Sequence, residues 1–207
     1  MQSHPQPFGA PEREPTDAHL VPAARRGDVL AKELLFRRHV NMAFGMALRV
    51  LGRRQDVEDL VHESFMEALS SLHKLREDMH FGTWLGRIVI NRTLKHRRRE
   101  RLRQRLGLDA SQSVDVSEFV SEAAPPDVLA ELNAIYVRLS GLPERSRVAL
   151  IMRRVEGRKM EEIAALMGVS LGTVKRLLTR AEDMLAKALA PTKRAQAGRA
   201  SGRGDGA

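Results

Sequence analysis

Apolar residues along this 207-residue chain recur at three- and four-residue intervals. No stretch alternates apolar with polar positions long enough to predict a strand. The spacing predicts helices over residues 17–27, 29–52, 55–72 and 81–106, then over 128–140, 143–156, 159–167 and 171–189. Turn residues agree with these limits. Gly52 suits the C-cap after Val50 and Leu51, Pro143 a first helical position and Gly157 a helix end. In the third helix Val57, Leu60, Val61, Ser64, Phe65, Ala68 and Leu72 form one stripe for burial; in the fourth, Phe81, Trp84, Leu85, Ile88 and Val89 do the same. The expected fold class is all-α, with two small helical domains.

Composition supports helix over sheet and removes several chemistries. Hydrophobic residues make up 43% of the chain but aromatic ones only 4%, and most are Ala, Leu, Val and Met, which favour helix or, for Val, are tolerated there. There is no cysteine, which excludes disulfides, thiolate metal sites and cysteine nucleophiles. No apolar run approaches the roughly 20 residues needed to span a bilayer. Residues 1–16 hold four prolines with Glu12 and Glu14 and lack the basic start and apolar stretch of a signal peptide. They read as a disordered extension of a soluble, cytoplasmic protein. Residues 191–207 read as a flexible basic tail. The spacing of Gly202, Gly204 and Gly206 there lacks the flanking strand and helix of a phosphate loop.

Charge then divides the chain. Lys and Arg number 35 against 26 Asp and Glu, a net +9 that points to a polyanion without saying which kind. The excess is not uniform. No Lys or Arg occurs from Gly107 to Val137, which carry six acids, so residues 106–127 are expected to be an acidic linker between domains at 17–105 and 128–190. No cation interrupts residues 55–72 either, and Asp56, Asp59, Glu63 and Glu67 lie three or four apart along a face beside the apolar stripe. Such acids are a surface for a cationic protein, or a solvated face whose first-turn members complement the helix dipole. They share one face with no second ligand set, so metal or acid–base chemistry is not expected.

The fourth helix ends in the opposite charge. Lys95 to Arg105 holds seven Lys and Arg against one Glu, and the cations wrap the whole helix. Such a run is not expected to be a half-buried face. It reads as a phosphate-binding stretch, or as an exposed basic end that pairs with the acidic linker. Trp84 is either core or, beside such a helix, a platform for unstacked bases. Residues 160–179 read as a helix-turn-helix. Ile163, Ala164 and Met167 line one short helix, and Gly168-Val169-Ser170 make the turn, with Ser170 as N-cap. Val174, Leu177, Leu178, Ala181 and Leu185 form the buried stripe of the next helix. Gly172, Thr173, Lys175, Arg176, Thr179 and Arg180 stand on its opposite face, short or cationic as a major groove requires.

Three segments carry a resemblance. Asp56-Val-Glu-Asp-Leu-Val-His-Glu-Ser-Phe-Met-Glu-Ala68 is similar to the core-polymerase-binding helix of bacterial sigma factors. Phe81-Gly-Thr-Trp-Leu-Gly-Arg-Ile-Val-Ile-Asn91 is similar to their promoter-melting helix. Leu142-Pro-Glu-Arg-Ser-Arg-Val-Ala-Leu150, followed by the helix-turn-helix, looks like their domain for the upstream promoter element. In this order the blocks resemble the compact extracytoplasmic-function (ECF) group of the sigma-70 family, over about three quarters of the chain.

The resemblance implies an alternative sigma factor. Such a protein is a non-catalytic subunit, with no cofactor and no metal, that directs core RNA polymerase to promoters. It implies that Asp56, Asp59, Leu60, Val61, His62, Glu63 and Glu67 dock on the β′ clamp, and that the second domain meets the β flap. Arg76, Asp78, His80, Trp84, Asn91, Lys95, Arg97 and Arg98 would engage the −10 element, where one base is flipped out. Ser170, Leu171, Gly172, Thr173, Lys175, Arg176, Thr179 and Arg180 would read the −35 element. The acidic linker would thread a cationic channel of the polymerase. An anti-sigma factor or other regulator is a further expected partner, and no membrane insertion is expected. The chain departs from the family pattern at Leu75 and Glu77, where Phe and Gly are common, and at Leu178, Glu182 and Asp183. The alternative reading is a free-standing dimeric helix-turn-helix regulator whose first domain senses a ligand. A nucleic-acid-processing enzyme is disfavoured, because His4, His19, His39, His62, His73, His80 and His96 show no ligand spacing with carboxylates.

Overall fold

The computed structural model of the chain describes residues 15–52, 54–76, 80–108 and 125–189. It holds eight α-helices among those residues: α1 Asp17–Arg25, α2 Val29–Leu51, α3 Val57–Ser70, α4 Phe81–Arg105, α5 Pro126–Ser140, α6 Glu144–Arg154, α7 Met160–Met167 and α8 Leu171–Leu189. One 3-10 turn, Leu72–Lys74, follows α3. Every helix expected from the apolar spacing is present, within a few residues at each end. Pro126 and Pro143 sit differently from expectation. Pro126 opens α5 as its first residue instead of lying in the linker, and Pro143 is the N-cap of α6 rather than its first residue. Both placements use the missing proline N–H where no helical bond is due. Most of the expected disordered extension, linker and basic tail (residues 1–14, 109–124 and 190–207) lies outside the described residues.

The described residues form two compact units, divided inside α4 between Lys95 and His96. In the first unit α1 packs on α2, α2 on α3, and the 3-10 turn on α1 and α3. Val57, Leu60, Val61, Ser64, Phe65, Ala68 and Leu72 are all buried, so the stripe read in the sequence is the core face of α3. Phe36 and Phe65 meet with ring centroids 4.7 Å apart, and the fully buried Phe81 meets His39 at 5.2 Å. Two buried hydroxyls return to their own helices at 2.7 Å, Ser64 to the Leu60 carbonyl and Thr93 to that of Val89.

The second unit is built around α6. Seven consecutive residues, Ser146 to Met152, are buried, so this short helix is enclosed on every side. It packs against α5, α7 and α8. One of the seven is Arg147, 1% exposed and the largest fully buried side chain. Burial, then the positive charge of Arg97, pushes its guanidinium down to about 9, with Arg101 adding to the fall and Tyr136 and Glu144 opposing it. The group therefore stays cationic at neutral pH. The last turns of α4 belong to this unit. Arg101 donates to the carbonyls of Ser140 at 3.1 Å and Leu142 at 3.4 Å, and pairs with Glu144 at 3.3 Å. These contacts correct the expectation for the basic run: His96, Arg97, Glu100 and Arg101 form a half-buried face, while Lys95, Arg98, Arg99, Arg103 and Arg105 stay exposed.

Arg147→Ala should destabilise the fold by about 2–4 kcal/mol, because it leaves both a cavity and the former partners of a buried cation. Arg147→Met keeps most of the volume and should lose clearly less. Thermal unfolding of the two variants checks this. Equal losses would mean that the polar partners, not the volume, set the cost.

Candidate protein and nucleic-acid interfaces

The acidic surface is narrower than its sequence suggested. Asp56 precedes α3 as its N-cap residue, with φ 71° in the left-handed region, and is half-buried rather than part of the outward face. Aspartate tolerates that conformation better than most residues. Asp59, His62, Glu63 and Glu67 are exposed, while Leu60 and Val61 are buried in the core. Two of these acids have an internal counter-charge that no local pattern announced. Arg92 of α4 donates from Nε to Glu67 at 2.7 Å and bridges Glu63 with its second nitrogen. Glu58 lies 3.5 Å from Arg54. Among the described residues no ion pair joins Asp59, which lies exposed in the first turn of α3 with exposed His62 and Met66, the latter 58% exposed, along the same side.

On α4, Trp84, Asn91, Lys95 and Arg98 fall 7, 4 and 3 residues apart and share one side of the helix. Asn91, Lys95 and Arg98 are exposed. Trp84 is half-buried, with its ring 6.2 Å from Phe81, so it is both a core residue and a surface one. Arg97 points to the opposite side and is half-buried, so the structure separates it from the −10 residues it was grouped with. Arg87, exposed one turn after Trp84, joins the same side and was not among the expected contacts; its cationic side chain three residues on was the available signal. Arg76 and His80 are exposed on the segment before α4, and Leu75 is buried at 7%. Asp78 and Glu77 lie outside the described residues.

The turn between α7 and α8 forms as its residues require. Gly168 takes φ 63°, and the N–H of Val169 reaches back to the Ala164 carbonyl at 3.0 Å while that of Gly168 reaches Ala165 at 3.3 Å. This is a Schellman closure that an L-residue would strain. Glu162 accepts from the Lys159 backbone N–H at 2.7 Å at the start of α7. Ser170 caps α8, accepting from the Thr173 N–H at 3.3 Å. Val174, Leu178 and Ala181 are buried, and Leu177 and Leu185 half-buried, so Leu178 serves the core and not the DNA-facing side. Ser170, Gly172, Lys175, Arg176, Thr179 and Arg180 are exposed, with Leu171 and Thr173 half-buried at the edge. Arg176 is steadied by the Thr173 hydroxyl at 3.1 Å. A shallow concavity runs along this face from Lys175 past Thr179 to Lys187. Asp183 is the acid that lines it; Glu182 is outside that lining and pairs with Arg154 at 2.8 Å.

Comparison with known proteins finds one family region in each half of the chain. The family described as Sigma-70 region 2 matches residues 35–103, and that described as Sigma-70, region 4 matches residues 132–185. The chain is similar to the ECF RNA polymerase sigma-E factor of Haemophilus influenzae, 31% identical over 85% of this chain and 96% of that relative. It is similar also to the RNA polymerase sigma-H factor of Pseudomonas aeruginosa, 33% identical over 86% of this chain and 96% of that one. Among solved structures it is similar to CnrH in complex with the cytosolic domain of CnrY, with TM-score 0.56 and 25% identity over 84% of this chain and 96% of that one. The fold is also that of the sigma factor RpoE of Bartonella quintana, solved with the anti-sigma factor NepR. That likeness has TM-score 0.58 and 22% identity, over 78% of this chain and 98% of that one.

Removing the internal counter-charge of the acidic face should cost little stability. Both carboxylates that Arg92 meets are about half exposed or more, 64% for Glu63 and 48% for Glu67. Arg92→Ala should therefore change unfolding free energy by less than about 1 kcal/mol. A larger loss in a denaturant titration would make Arg92 part of the core's support.

Proposed function

The chain belongs to the extracytoplasmic-function group of the sigma-70 family, and from that membership we propose how its surfaces divide the work of transcription initiation. The observation that carries the proposal is the presence of regions 2 and 4, in order, in one chain, with an acidic surface on the first and a cationic helix-turn-helix on the second. The protein acts in the cytoplasm as a non-enzymatic specificity subunit of core RNA polymerase. No helix among the described residues is long and apolar enough to cross a membrane.

The exposed side of α3, centred on Asp59 and His62, docks on a cationic surface of the β′ clamp. The exposed side of α4 and the segment before it bind the −10 element. There a base leaves the stack, at a cost of a few kcal/mol that contacts from Trp84, Asn91 and Lys95 offset. The α8 face enters the major groove of the −35 element, with Gly172 and Thr173 admitting the helix closely and Lys175, Arg176 and Arg180 meeting phosphates or base edges. Region 4 also contacts the β flap. Each DNA contact is weak alone. The polymerase holds both regions at fixed spacing, so the second contact forms at a high effective concentration. CnrH was solved with the cytosolic domain of CnrY and RpoE with the anti-sigma factor NepR; a protein regulator would restrain this chain by covering the same surfaces. The free-standing regulator reading has no support, because the first block is region 2 and not a sensing domain.

Two outcomes test the assignment. Lys175→Ala and Arg176→Ala should each weaken −35 binding and lower the slope of log affinity against log salt by roughly one. An unchanged slope in footprint titrations would remove those residues from the interface. Asp59→Lys should abolish co-elution with core polymerase, and Glu67→Lys should do less, because Glu67 already has a cation beside it. Retained co-elution of the Asp59 variant would move the docking surface elsewhere.

A further inference from the structure

Helix α1 grips both ends of the segment that leads from α3 into α4. At its entry, Arg25 in the last turn of α1 reaches 47 and 50 residues along the chain. Its Nε donates to the Leu72 carbonyl at 3.0 Å, and its terminal nitrogen donates to the Leu75 carbonyl. The side chains of Leu72 and Leu75 are buried, 2% and 7% exposed. Each residue is therefore fixed by its side chain in the core and by its carbonyl on the guanidinium. At the exit, Asp17 in the first turn of α1 meets His39 of α2 at 2.7 Å and Arg38 at 2.8 Å. The His39 ring stands 5.2 Å from that of Phe81, the first residue of α4. A Cβ at Gly82 would lie 3.1 Å from His39, so the imidazole closes against the first turn of α4. Arg76 and His80, both exposed, stand between the two anchors.

Side chains that recognise a ligand from a connecting segment need its backbone held, and a planar guanidinium holds two carbonyls in one fixed geometry that the point charge of an ammonium on a flexible stem does not reproduce. We propose that Arg25 is a positioning residue for −10 recognition: through the Leu72 and Leu75 carbonyls it fixes the backbone from which Arg76 and His80 meet the −10 strand. This rests on the reading of Arg76 and His80 as −10 contacts. Arg25 acts through the chain and not as a phosphate contact of its own. Asp17 and His39 do the same at the other end.

The test uses holoenzyme assembled from core polymerase and the full chain. The probe is a fork-junction DNA bearing the −10 strand of a promoter selected by run-off transcription, with versions altered at each non-template base. Arg25→Ala should lower affinity for the selected probe about tenfold, the scale of one charge-assisted hydrogen bond. It should also shrink the ratio between selected and altered bases. Binding to a −35 duplex and co-elution with core should not change. Arg25→Lys should recover little, and it supplies the comparison if the alanine variant does not fold. His39→Gln should shift the base ratio in the same direction. Full recovery by Lys would make Arg25 a phosphate contact and overturn the proposal, as would a parallel loss of −35 and core binding. A chain carrying both Arg76→Ala and His80→Ala separates the two levels. Unchanged −10 binding there refutes the underlying reading; lost binding there with Arg25→Ala intact refutes the positioning role alone.

Discussion

The structure depends on guanidinium groups that bind backbone carbonyls where helices stop. A chain with 35 Lys and Arg but 26 Asp and Glu cannot give every structural cation a carboxylate. Backbone carbonyls in and beside the stretches between helices supply other acceptors. Arg25 takes the carbonyls of Leu72 and Leu75, and Arg101 those of Ser140 and Leu142. Arg153 takes that of Arg158, just past the end of α6. Each pair locks the stretch where one element gives way to the next, and each spares acids for the surface.

What could be read in the sequence was whatever has a period or a local turn. The burial of Val57, Leu60, Val61, Ser64, Phe65, Ala68 and Leu72 follows from their spacing alone. The positive φ at Gly52 and Gly168 follows from the helices that stop there. The contacts that shape the candidate surfaces have no such signature. Arg92 finds Glu67 and Glu63 from 25 and 29 residues away, and Arg25 finds the 3-10 turn from 47. Nothing near Arg92 or Arg25 distinguishes them from neighbouring cations. The basic end of α4 shows the same limit from the other side. Its charge pattern surrounds the helix, yet Arg101 turns to the α5–α6 turn, and His96, Arg97 and Glu100 are half-buried like it. Charge pattern ranks residues by type while the fold ranks them by side.

Arg147 carries the same logic into the core. A helix buried on all sides with a cation in it is costly, and its lowered guanidinium shows the cost. The two cations that depress it, Arg97 and Arg101, come from the end of α4. Glu144 offsets them by pairing with Arg101 and by acting on Arg147 itself. One carboxylate at the first residue of α6, where the helix dipole also favours it, therefore supports several cations.

The two kinds of surface end in different electrostatic states, and this difference bears on how each is used. On α3, internal cations already stand beside Glu63, Glu67 and Glu58, so under the proposed assignment a docking partner would gain mainly from Asp59 and from burying Met66. On α8 the one nearby acid with a drawn ion pair, Glu182, is turned to Arg154, and Arg176 leans on a hydroxyl. Asp183 shares the concave face with Lys175, Arg176, Arg180 and Lys187, so cations outnumber acids there four to one; in the proposed assignment their attraction for phosphates is screened by salt over about 8–10 Å. The protein contact therefore depends more on shape and apolar burial, and the DNA contact more on ionic strength. Such a division suits a subunit that must stay on its polymerase while it samples and leaves promoters.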